Sequence, residues 1–235
     1  MQEQLGPVLV IVAHPDDAEF GCGGSVGLWT RQGRDVIYLL CTRGDKGSAD
    51  PTMTSERLAA VREQEQRNAA RVLGVKEVHF LDMRDGEVQN TLAFREQLVR
   101  AIRRFRPYTV VTHDPTVLIV GDEWFDHPDH RAVGLTTADA IYPTARDHLY
   151  FPEHRAMGLE PHKVREVLFF GSQQPNHWLD ISETIDLKLQ ALREHYSQFE
   201  NFDQVAEWVR TRAQASGESQ GMAYAEAYRR VLMRS

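Results

Sequence analysis

Five consecutive apolar residues, Val8-Leu9-Val10-Ile11-Val12, run straight into Ala13-His14-Pro15-Asp16-Asp17-Ala18-Glu19-Phe20-Gly21-Cys22-Gly23-Gly24. No other stretch constrains the fold as tightly. A strand that is apolar at every position is buried on both faces, the condition of a parallel sheet covered by helices. A histidine and two carboxylates then fall at the carboxyl end of a central strand, where open α/β sheets bind ligands. The glycines beyond them permit tight turns and close backbone approach. A blander alternative is that Asp16 or Asp17 caps the following helix. A cap needs only one short polar residue, whereas three ionisable groups stand together here.

The pattern repeats along the chain. Residues 35–41, 77–81, 109–112 and 166–170 are further strand-like runs. Between them lie a helix from residue 25 to the closing Gly33, and one over 56–73, capped by Ser55 and ended by Gly74. A third covers 92–104, with Phe94, Leu98, Ile102 and Phe105 on one face, stopped by Pro107. Alternating strands and helices predict an α/β fold: a Rossmann-like, mainly parallel sheet with helices on both faces. A helix from Ser182 and two more, around 205–212 and 222–233, read as a C-terminal helical elaboration. The 235 residues suggest a single domain, with a core over about 6–175 and C-terminal helices over about 182–235. The proline-bearing segment 142–163 reads as an extended insertion or lid.

Composition narrows the partners. A net charge of −7 disfavours nucleic acid and anionic membranes. No apolar run approaches the ~20 residues of a spanning helix, and the first residues lack a signal-peptide pattern, so a cytoplasmic protein is expected. Cys22 and Cys41 sit in buried-looking segments and read as free thiols.

Three strand ends or following loops should meet: His14, Asp16 and Asp17; His113 and Asp114; and His127 and His130, three residues apart at a helix start signalled by Asp126 and Pro128. Two imidazoles and a carboxylate are the usual protein ligands of a hydrolytic zinc, which keeps one open position for water. The metal lowers that water's pKa from about 15.7 toward about 7, and a neighbouring carboxylate completes the deprotonation. A spare histidine can stabilise the oxyanion or protonate the leaving amine. The glycine-rich loop 42–48 lacks the P-loop spacing, and no GxGxxG follows the first strand, both of which disfavour a Rossmann-like nucleotide-binding module. A catalytically silent protein holding zinc for structure is the other alternative. His79, His148, His154, His162, His177 and His195 read as non-ligands. The arginine-rich face of 95–106 reads as solvated.

Ala-His-Pro-Asp-Asp at 13–17 paired with His-Pro-Asp-His at 127–130 resembles the LmbE-like (PIG-L) zinc-dependent de-N-acetylases. The loop Thr42 to Gly47 is similar to that family's glycine loop, and Arg62 to Glu65 with Ala69, Ala70, Leu73 and Gly74 to its second helix. The likeness is good over about 6–135. It implies His14, Asp17 and His130 as ligands of Zn2+ or another divalent transition metal. It further implies Asp16 as general base, His127 as the oxyanion-stabilising or acid histidine, and Arg62 as a substrate contact. Asp114 is a candidate for orienting His127, and Arg146, in the supposed lid, for meeting an anionic substrate group. Phe125 stands where some relatives carry a tyrosine. The expected partner is a small-molecule N-acetyl amino sugar or N-acetylglucosamine conjugate, without nucleic acid or a membrane span; homo-oligomerisation stays open.

Overall fold

A computed structural model describes residues 5–122 and 124–234. In chain order it contains β1 (Val8–Val12), α1 (Asp17–Arg31), β2 (Val36–Thr42), α2 (Ser55–Leu73), β3 (Glu77–Met83), α3 (Leu92–Phe105) and β4 (Thr109–His113). Next come the two-residue strands β5 (Ile119–Val120) and β6 (Trp124–Phe125), α4 (Pro128–Ile141) and β7 (Glu166–Phe170). The chain closes through β8 (His177–Asp180), α5 (Ile185–Arg193), α6 (Phe202–Glu218) and β9 (Ala225–Leu232).

Seven strands form one sheet in the order β3-β2-β1-β4-β7-β9-β8. The neighbours from β3 to β7 pair in parallel, as the continuous apolar runs require, while β9 lies antiparallel between β7 and β8. Because side chains alternate along a strand, β1 feeds two cores. Leu9 and Ile11 pack with Phe94, Leu98 and Ile102 of α3 and Val133 of α4. Val8, Val10 and Val12 pack with Val26 and Trp29 of α1 and Leu73 of α2. Residues of α5 and α6 form a third cluster around Ile181, Leu192 and Val209. The strand order reverses between β1 and β4, the switch point at which such sheets leave a crevice. None of the described helices is long and apolar enough to cross a membrane.

Four expectations are corrected here. The stretch 222–233 contains a strand, not a helix: Ala, Glu, Arg and Leu favour a helix intrinsically, but pairing on both sides with β7 and β8 overrides that preference. The C-terminal part is therefore no purely helical addition, since β9 completes the sheet. Helix α1 starts at Asp17, eight residues early, and bends at Cys22 (φ −148°, ψ 15°). Segment 142–163 is no lid. It folds into two short 3-10 turns, Thr144–Arg146 and Pro152–Met157. Both wrap around the buried guanidinium of Arg103, which donates to the carbonyls of Thr144, Ala145, Asp147, Tyr150 and Phe151. Arg103 is thus an internal brace, not part of a solvated face.

Candidate active site

The chain leaves β1 and turns at Asp16, whose backbone sits at φ 86°, ψ −26°. A non-glycine residue there carries strain of ~1–3 kcal/mol, kept only when the surroundings over-determine it. They do. Gln66 of α2 accepts from the Asp16 N–H through Oε1 (3.0 Å), and its amide donates to both oxygens of the buried Glu19. Glu19 is in turn paired with the buried His195 (3.2 Å). The Asp16 carboxylate meets the Arg62 guanidinium at 3.3 Å.

This turn sends the two neighbouring aspartates in different directions. Asp17 faces three imidazoles: His130 Nε2 lies 3.1 Å from Oδ1, and His14 Nδ1 and His113 Nε2 lie 3.4 and 3.3 Å from Oδ2. Burial alone would raise the Asp17 pKa, but His130 holds it well below the ordinary carboxylate value. The opposite happens at Asp16. Burial outweighs the nearby Arg62 and pushes its pKa up to about 6.

His14, Asp17 and His130 offer donor atoms within 4.8 Å of one another. The outward nitrogen of each imidazole is backed by a carboxylate. His14 Nε2 lies 3.1 Å from Asp129 and 3.2 Å from Asp85, and His130 Nδ1 lies 3.0 Å from Asp126. Metal-binding histidines are held in this way, the second partner fixing tautomer and orientation. The donor set, its ionised carboxylate and these backing groups all fit a divalent transition cation with three protein ligands. Asp129 is itself fully buried and accepts from the Gly86 and Val88 N–H groups, tying α4 to the loop after β3.

His127, not Asp126, caps α4, with Nδ1 accepting from the Asp129 N–H (3.2 Å). Its proton therefore sits on Nε2, on a ring that is 40 % exposed and stands edge-on to His14 at 4.6 Å. Burial and the nearby His14 lower its pKa, which favours the neutral form. His113 is also neutral. Its Nε2 accepts from the Ala13 N–H (3.2 Å), burial brings its pKa down to about 4, and its ring stacks on His130 at 4.1 Å.

Three expectations come out differently. Asp114 does not orient His127, because its Oδ1 closes the turn after β4 by accepting from the N–H (2.9 Å) and hydroxyl (2.7 Å) of Thr116. Arg146 is far from the site. It lies beyond the far end of α4, a 14-residue helix about 21 Å long, stacked on Tyr142 and reaching the Arg234 carbonyl. Arg62 is buried behind Asp16, donating to the Pro15 and Gly44 carbonyls, so it braces the Asp16 turn rather than presenting an open surface. Phe125 lies on an exposed hairpin edge. Asp85, Asp129, Gln66 and Glu19 escaped the sequence analysis. Asp129 and Glu19 had a signal, since one lies inside the His-Pro-Asp-His motif and the other two residues after Asp17, whereas Asp85 and Gln66 meet the site only through the fold. Of the histidines set aside, His154 and His195 are fully buried and paired with Glu96 and Glu19.

The chain is similar to known proteins along most of its length. A diacetylchitobiose deacetylase of Thermococcus kodakarensis is 38 % identical over 226 residues, 95 % of this chain and 82 % of that one. A probable N-acetyl-alpha-D-glucosaminyl L-malate deacetylase of Bacillus anthracis is 28 % identical, over 82 % of this chain and 81 % of its own length. The structure of the N,N'-diacetylchitobiose deacetylase from Pyrococcus horikoshii superposes with a TM-score of 0.91 at 30 % identity, covering 98 % of this chain and 85 % of that one. Residues 9–141, the span holding His14, Asp17 and His130, match the family model described as PIG-L, GlcNAc-PI de-N-acetylase, and the chain belongs to that family.

Proposed function

We propose that this chain is a metal-dependent hydrolase that removes the N-acetyl group from an N-acetylglucosamine-containing small molecule. The division between the two aspartates supports it most directly: Asp17 lies among imidazoles, and Asp16 is turned away onto Arg62 with a raised pKa. The relatives supply the substrate class, since the names of the Thermococcus and Bacillus proteins share an N-acetylated glucosamine unit as the group acted on.

His14, Asp17 and His130 would hold the cation, Zn2+ being the natural match for this N/O set. Bound there, it supplies Lewis-acid polarisation of the amide and a more acidic attacking water. Asp16 is the general base. With a pKa near 6 it is ionised at neutral pH, yet a better proton acceptor than an ordinary aspartate. Arg62 and the Gln66 bond keep its carboxylate aimed while it takes the proton from water. That same proton is then available to the departing amine, so Asp16 ends the cycle ionised. His127, with Nδ1 engaged in the cap, presents Nε2–H to the oxygen on which negative charge develops.

Purified protein loaded with zinc should release acetate from N-acetylglucosamine or its glycosides. Asp16→Asn should lower kcat by about 10²–10⁴-fold while metal content measured by emission spectroscopy is unchanged. Retention of the rate would remove Asp16 from its role, and absence of acetate would remove the reading as a whole.

A further inference from the structure

Gln66 joins the Asp16 turn to two buried ionisable side chains that take no part in the chemistry above, Glu19 and His195. All three are fully enclosed by protein. A side-chain amide has one accepting end and one donating end. The donating end of Gln66 meets both oxygens of Glu19, at 3.0 and 3.1 Å, so its accepting end is the one presented to the Asp16 N–H. Turned over, the amide would set its NH2 group against that N–H and its oxygen against the carboxylate. Buried donors and acceptors left facing their own kind are penalised. The direction in which Gln66 points is therefore set by Glu19.

Glu19 in turn is held from the far end of the chain. His195 lies at the start of the 3-10 turn Tyr196–Gln198, well beyond residues 9–141, the part matched by the family model. Its Nε2–H donates to Glu19 Oε2 at 3.2 Å, while its buried Nδ1 has no hydrogen-bond partner among the described residues. Burying an imidazole with one nitrogen unmatched is unfavourable, and the one polar contact its ring does make is to Glu19. Two residues on, the Ser197 N–H and hydroxyl both donate to Glu65, each at 2.8 Å. Glu65 is the neighbour of Gln66 on α2, so residues 195 and 197 grip that helix at the level of the Asp16 turn.

We propose that His195 is a positioning residue for the base: through Glu19 and Gln66 it holds the Asp16 peptide at its positive φ and so aims the Asp16 carboxylate. The proposal rests on the de-N-acetylase reading above. A role in packing alone has a different signature, a loss of stability that reaches kcat, KM and metal content together.

The test measures acetate release from N-acetylglucosamine by zinc-loaded His195→Leu and His195→Gln, each with and without Gln66→Leu. Leucine removes the donor, whereas glutamine returns an amide NH2 close to where Nε2 stands. His195→Leu should lower kcat about tenfold, with KM and zinc content within about twofold of wild type. His195→Gln should restore most of the rate. Once Gln66→Leu has cut the link, His195→Leu should lower kcat by no more than about twofold further, because residues that act through one another are not additive. Hydrogen exchange at the Asp16 amide, followed by NMR in metal-free protein, reads the link without turnover. It should be about tenfold faster in His195→Leu and in Gln66→Leu, the scale of one lost hydrogen bond, and near wild type in His195→Gln. Equal losses of kcat from His195→Leu in both backgrounds, or an unchanged Asp16 exchange rate, would overturn the proposal. So would a defect carried by KM or by zinc content. Should His195→Leu not fold, His195→Asn, whose shorter side chain stops short of Glu19, takes its place in every comparison. If the wild type releases no acetate, the activity reading fails, while exchange at Asp16 still decides whether His195 holds that peptide.

Discussion

Asp16 shows how much one backbone angle can decide. Its positive φ turns the carboxylate away from Asp17, and the Gln66 side chain holds the peptide there. Gln66→Leu keeps the side-chain volume but removes the acceptor, so kcat should drop about tenfold or more, with metal content and KM little changed. Steady-state kinetics with metal analysis would show this, and an unaltered kcat would mean that Arg62 alone suffices. Titration adds a second expectation. With Asp16 as the proposed base, kcat/KM should rise with pH on a limb at or below about 6, since a bound cation favours the carboxylate further. The metal-free protein behaves in the opposite sense at His130. Asp17 and Asp126 overcome burial and raise its pKa to about 9, above the ordinary 6.5. That ion-pair stabilisation is fully present below pH 6.5 and is lost as pH rises through 9. Thermal unfolding of chelated protein should show the loss. Metal affinity should rise over the same range, because the cation displaces the His130 proton.

At the scale of elements, α1 depends on a strand about two hundred residues later. Where the helix bends at Cys22, the Gly24 and Ser25 N–H groups are freed, and both donate to the Glu226 carboxylate of β9 (2.9 and 2.8 Å). Lys188 of α5 pairs with the same carboxylate at 2.6 Å, and the Tyr228 hydroxyl completes the group. Glu226→Ala would leave Lys188 buried and two helix donors unpaired, so urea denaturation should register a loss of about 3–5 kcal/mol. Glu226→Gln should recover part of it by restoring an acceptor. None of this was visible from periodicity. The continuous runs of β1, β2, β4 and β7 were legible because a doubly covered parallel strand is mostly apolar, its polar residues here confined to Thr42, Thr109, Thr112, His113 and Glu166 at or near the strand ends, and residues 166–170 came out with both ends right. The segment 225–232 was not legible. Its pairing partners lie elsewhere in the chain, and its own residues prefer a helix. The cluster of His14, Asp17 and His130 was legible through two short motifs, whereas Asp85 and Gln66 are joined to it only by folding.

Across the whole molecule, the reaction centre gathers loops from β1, β3 and β4 and the start of α4 around five carboxylates, Asp16, Asp17, Asp85, Asp126 and Asp129. A divalent cation relieves the repulsion among them. Free metal at 100 times Kd should therefore add about 2.7 kcal/mol to the unfolding free energy, an increment that His14→Ala should abolish in metal titrations followed by thermal unfolding. The glycine loop after β2 belongs to the same assembly. Gly44 has φ +64°, and a Cβ there would lie 2.5 Å from the Arg62 guanidinium, so Gly44→Ala should displace the brace behind Asp16 and cost both stability and rate.

The position of β9 also orders events in time. This strand fills the gap between β7 and β8 and carries the Glu226 carboxylate that secures α1. During synthesis the histidines and aspartates of the reaction centre leave the ribosome long before the strand that closes the sheet over them. The nascent chain must carry its reactive groups with one sheet slot open until residues 225–232 have been made. Activity should therefore appear only after residues 225–232 have docked, however early the rest has folded.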